Sequence, residues 1–153
     1  MKRIEVKLAL PVVAPLLDVV KELADGLRQN LAAPLTLDDL DPEFHASWVG
    51  ELVTAQNDDV QRLLALFDDD FFREGVVAFD EENAESIVRA CAAIRLRLRE
   101  HYLKNVGDET LETGEVDLAT LAEPLRRAFM CYLFLATVQE LIIQHLDESI
   151  LGS

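Results

Sequence analysis

Eleven consecutive residues near the C-terminus, Ala128 to Val138, include only one that is not apolar, Thr137. They lie in a stretch from Pro124 to Leu151 that turns apolar again at Leu141, Ile142 and Ile143, after an interruption at Gln139 and Glu140. A helix that is apolar almost all round must be covered on most of its sides. The remainder of the chain therefore has to wrap around it, which predicts a helical bundle with this rod at its centre. The uninterrupted run is shorter than the roughly 20 residues a bilayer core requires. It reads as a core helix, with no membrane involved.

Upstream, Ile4, Val6, Leu8 and Leu10 alternate with Arg3, Glu5, Lys7 and Ala9. A period of two predicts a strand with one covered face over residues 3–10. Pro11 and Pro15 suit the opening of a helix that runs to about Gln29, with Gly26 inside it. Ala32–Asp41 reads as a connection. Asp41-Pro42-Glu43 is a helix opening, and that helix carries Phe44, Trp48, Leu52 and Val53. Asn57, Asp58 or Asp59 is then expected to cap a separate short helix with Val60, Leu63, Leu64 and Phe67. Asp68-Asp69-Asp70 is expected to end it, because acids oppose the macrodipole at a helix C-terminus. Residues 75–79 are a second strand, able to pair with the first in a small ribbon that survives only when packed on helices. Asp80 is read as the N-cap of a long helix from Glu81 to about Lys104, and Asn105–Val116 as a solvated loop.

The expectation is thus one mainly α domain over residues 1–153, with about five or six helices. At 153 residues such a chain can bury roughly 70% of its unfolded surface and needs no metal or disulfide to fold. Acidic residues number 29 against 14 Lys plus Arg, a net charge of -15. That balance repels phosphate backbones and anionic membranes, so nucleic acid is not an expected partner. Cys91 and Cys131 both sit in apolar helical stretches, which suits buried free thiols in a reducing compartment. The N-terminal run carries Glu5 and Lys7 where a signal peptide would be apolar. The expected location is the cytoplasm.

Two helices carry polar groups inside apolar faces. Arg95 stands four residues after Cys91 and three before Leu98. Gln139 lies four residues from both Leu135 and Ile143, near Tyr132, with Glu140 at the margin. A buried charge needs a partner, so Arg95 is expected to be held by Glu140, Gln139 or Tyr132. One reading makes this buried polar cluster a tie between two core helices. The other makes it a ligand pocket with an anion-binding arginine.

The segment Asp80–Leu103, centred on Ala93-Ile94-Arg95-Leu96-Arg97-Leu98, resembles the "DLRLAL" segment of a bacterial domain-of-unknown-function family, the one numbered twenty-seventeen. Tyr132, Phe134, Leu135, Val138, Gln139 and Glu140 resemble that family's "YxWLxxLQE" segment, with Phe134 where the family usually has Trp. The entry around Leu8–Leu17 is similar, while Leu31–Glu74 departs from the family. The resemblance implies no assigned activity. Some members are encoded near the adaptor of the Clp protease, so it implies a proteolysis-linked role by association alone. It also makes Arg95, Tyr132, Gln139 and Glu140 shared polar positions.

Other constellations are weaker. Asp68-Asp69-Asp70 is more often a solvated helix end than a cation site. Glu82-x-x-Glu85 puts two carboxylates on one face, as in all-α metal-dependent nucleotide pyrophosphatases. The second acidic pair that chemistry needs falls to Glu112, Glu115 and Asp117 in a glycine-containing loop. His45, His101 and His145 have no metal-ligand spacing. No nucleophile elbow or phosphate loop is present. No cofactor, catalytic residue or metal ligand is assigned. Met130, Phe134 and Leu141 lie opposite the Tyr132–Gln139 face, so the last helix is either a central strut or one side of a subunit interface, and a symmetric homodimer is the expectation. The leading expectation is a non-catalytic interaction or regulatory protein whose partner is another protein or a second copy. A small-ligand binder or metal-dependent enzyme is the alternative.

Overall fold

A computed structural model describes residues 3–28, 30–32, 41–104, 106–107, 110, 113 and 120–145. The expected connection before Asp41, most of the loop after Lys104 with Glu112, Glu115 and Asp117, and the helix tail from Leu146 to Leu151 lie outside them. Among the described residues the order is β1 (Arg3–Lys7), α1 (Leu10–Gly26), α2 (Pro42–Ala65), α3 (Asp69–Glu74), β2 (Val76–Asp80), α4 (Ala84–His101) and α5 (Glu123–His145). The fold is mainly helical, with four long helices, a short one and a two-stranded ribbon.

The ribbon is antiparallel, with Ile4 opposite Phe79 and Val6 opposite Val77. The alternation read from the sequence therefore places one apolar face of β1 beside one of β2. Phe79 and Val77 are buried beneath it. Gly75 links the ribbon to α3. Its φ of +72° ends that helix in the left-handed region, and a Cβ there would meet the Leu8 carbonyl oxygen at 2.9 Å.

α5 packs against α4 and α1, and α2 packs chiefly against α4. Phe129, Leu135 and Ile142 of α5 join Ile87, Ile94 and Leu98 of α4 and Leu17, Val20 and Leu23 of α1 in one buried cluster. By length and composition alone α5 is long and apolar enough to cross a membrane, and 44% of that stretch is buried within the chain, as in a core helix. Phe129, Leu135, Val138 and Ile142 are buried, whereas Ile143 stays 50% exposed. The surface on which a homodimer was expected is also partly used. Met130 and Phe134 pack against the core, and the Phe134 ring stands 6.2 Å from that of Phe67.

Three expected boundaries change. Asn57-Asp58-Asp59 caps nothing, because α2 is one helix of 24 residues. Propensity at three short polar residues is outweighed by tertiary partners: Asn57 donates to the Arg28 carbonyl at 2.9 Å, and Asp59 takes an arginine from α4. Asp68-Asp69-Asp70 begins a helix where an end was expected. Asp68 accepts from Phe71 N at 3.0 Å, and Asp69 and Asp70 occupy the first turn, where the macrodipole favours acid. Asp80 closes β2, and α4 begins at Ala84, after Asp80 has accepted from Glu82 N and Asn83 N in a tight side-chain turn.

Candidate functional site

Arg95 reaches from α4 to α5. Its Nη1 donates to Gln139 Oε1 at 2.6 Å and its Nη2 to Tyr132 OH at 3.0 Å. The guanidinium carbon lies 4.4 Å from the centre of the Tyr132 ring, within cation–π range. Gln139 is held in turn, because its Nε2 donates to the Val88 carbonyl at 2.9 Å. The amide therefore joins the arginine to the backbone of the helix that carries it. Three of the four expected residues meet.

Glu140 does not join them. It is exposed and, among the described residues, accepts from Gln144 Nε2 at 3.1 Å. The reason is angular: one residue along a helix turns the side chain about 100°, so Gln139 and Glu140 cannot face the same neighbour. Nor is the cluster sealed inside. Tyr132 is buried, whereas Arg95 and Gln139 are only half-buried. Arg95 Nε is the one inaccessible side-chain polar atom among the described residues that has no partner.

A second polar tie went unread in the sequence. Arg89 of α4 grips Asp59 of α2 with two bonds, Nε at 2.9 Å and Nη2 at 3.0 Å, one to each carboxylate oxygen. Its Nη1 also lies 2.7 Å from Glu85. The bond to Asp59, with the charges of Asp59 and Glu85 behind it, raises the Arg89 pKa despite some burial. Ser86, itself buried, accepts from Arg62 Nη1 at 2.8 Å. Splitting α2 at Asn57–Asp59 concealed this arrangement. Read as one helix, Asp59 falls on the face of Leu52, Val60 and Leu63, an acid on an apolar stripe and the same signal that singled out Arg95.

The thiols of Cys91 and Cys131 are buried and unbonded to one another. Burial pushes each up to about 12, so both stay protonated and unreactive at neutral pH. Among the described residues no group of three His, Cys, Asp or Glu lies close enough to hold a metal ion.

An open groove of about 440 Å³ runs between α2 and α4. Leu31, Leu52, Ala92, Ala93 and Leu96 make its walls. Three polar residues border it, and each is already satisfied. Gln56 accepts from Ala32 N and donates to the Leu27 and Asn30 carbonyls. Asp59 and Arg89 hold each other. Beyond the groove, Phe44 and Trp48 remain 58% and 40% exposed, with their rings edge to face at 6.1 Å. Among the described residues no element buries either aromatic.

Fold and site together define a small helical protein whose internal polar groups tie helices to one another, with an apolar groove on its surface. The chain belongs to the family of the domain of unknown function DUF2017, whose model matches residues 11–146, including the stretch over which the resemblance was weakest. No curated protein and no solved structure gives a significant match.

Proposed function

We propose that this protein is a non-catalytic interaction protein that takes a protein partner in the α2–α4 groove. The observation that carries the reading is the groove with its satisfied rim: Gln56, Asp59 and Arg89 all face it, and each spends its polar atoms within the chain. A polar metabolite would have to compete with the bonds those three already make within the chain, whereas an apolar surface can lie beside them with those bonds intact. Leu96 leaves apolar area exposed in the groove, and Phe44 and Trp48 expose more on the helix that carries Leu52; exposed apolar area of this kind marks interaction sites. The Arg95 cluster serves as a positioning tie for α4, one wall of the groove. The buried free thiols suit a reducing compartment, the cytoplasm.

The test is capture from a cell lysate on immobilised protein, comparing wild type with Trp48→Glu/Leu96→Glu and with Glu140→Ala. The reading expects a set of proteins retained by wild type and by Glu140→Ala and lost by the double variant. An identical set on all three would refute it.

A further inference from the structure

The first half of α2 presents Phe44, Trp48, Leu52 and Ala55 at intervals of four, four and three residues, which places them along one side of the helix. Leu52 and Ala55 line the groove, and Leu96, 42% exposed on α4, forms its far wall. From Phe44 to Ala55 the stripe is about 16 Å long, roughly three helical turns.

The walls of this groove determine what can lie in it. Its two long walls, α2 and α4, are helices whose backbone groups bond within themselves, and at the Leu31–Ala32 end the Ala32 N–H is taken by Gln56, so neither long wall offers a ladder edge to an incoming strand. An occupant buried there must satisfy its own N–H and C=O groups, and a helix does so unaided.

Charge selects the kind of helix. Glu43 and Glu51 flank the stripe on α2, and neither makes an ion pair among the described residues; Glu51 borders the same shallow pocket as Phe44 and Trp48. Arg89, the cation that lines the groove, is neutralised by Asp59 and Glu85. Over the whole chain 29 acidic residues face 14 Lys plus Arg. A second copy laid on this face would bring Glu43 and Glu51 against themselves and a charge of -15 against -15.

We infer that the groove receives an amphipathic helix of another protein with lysines or arginines flanking its apolar face. The inference rests on the interaction reading above and gives its partner a chemistry.

Trp48 is the chain's only tryptophan, so its fluorescence reports on the stripe alone. The protein is titrated with three designed peptides of one length: a cationic amphipathic helix, the same apolar face with an acidic polar face, and the cationic composition scrambled to destroy the apolar face. The expected result is a saturable blue shift with the first peptide only. Its affinity should fall about tenfold when Glu43→Gln and Glu51→Gln are combined, and fall again with added salt. Equal binding of the acidic peptide overturns the inference and leaves the interaction reading standing. So does a failure of all three peptides while lysate capture still depends on Trp48. A blue shift that grows with protein concentration in the absence of peptide assigns the groove to a second copy and equally overturns it. If no peptide binds and capture ignores Trp48, both statements fall together.

Discussion

The two halves of α2 belong to one unbroken helix, yet they meet different surroundings. From Gln56 to Ala65 the helix is tied down: Gln56 and Asn57 bond to the end of α1, Asp59 to Arg89, Arg62 to Ser86, and Val60 and Leu63 are buried. From Pro42 to Ala55 its largest apolar side chains, Phe44 and Trp48, remain exposed. Composition does not explain the contrast, since the exposed half is the more aromatic. What differs is whether another described element comes near. A helix with an apolar face and no neighbour is a surface awaiting one, and a helix with satisfied polar cross-links is a fixed support.

The sharpest way to widen that contrast is to cut into the support. Phe129→Ala removes a fully buried ring from α5 and should lower stability by about 3–5 kcal/mol in urea unfolding. Arg95→Ala should cost about 2 kcal/mol, because it frees the Gln139 amide oxygen and the Tyr132 hydroxyl and strips a cation from a ring. Glu140→Ala, one residue from the cluster, should stay within about 0.5 kcal/mol of wild type. Equal losses from the arginine and the glutamate would mean that the polar tie is misplaced.

A smaller effect concerns the two thiols. Below about pH 8.5 folded and unfolded chains both keep these protons. Above it the unfolded chain loses them while the folded chain, with each thiol pushed up to about 12 by burial, retains them. Stability should therefore fall as pH rises from that point, by about 1 kcal/mol per thiol for each pH unit. The comparison is of urea midpoints at neutral and alkaline pH for wild type and for Cys91→Ala/Cys131→Ala. If both proteins lose stability equally, the thiols are not buried in solution.

Much of the support was legible in the sequence. The run Ala128–Val138 marked the central helix, the alternation from Ile4 marked the ribbon, and Arg95 with Gln139 and Tyr132 stood out as polar groups on apolar faces. What escaped depended on partners distant in sequence. Asp59 reads locally as a cap and is explained by Arg89, 30 positions away. The Asp68 run reads as a helix end, and its bond to Phe71 N makes it a beginning. Gly26 reads as a weak point in a helix, whereas a Cβ there would stand 2.6 Å from the Arg97 guanidinium that covers the last turn of α1. Phe44 and Trp48 read as core residues, because periodicity reveals a face and says nothing of what covers it.

The most direct test of the contrast is the unfolding free energy of Trp48→Glu. With the first half of α2 uncovered, a charge at this position meets water, and stability should remain within about 0.5 kcal/mol of wild type. A loss of about 2 kcal/mol or more would show that the indole is buried in the free protein, and that the stripe belongs to the core and not to a partner.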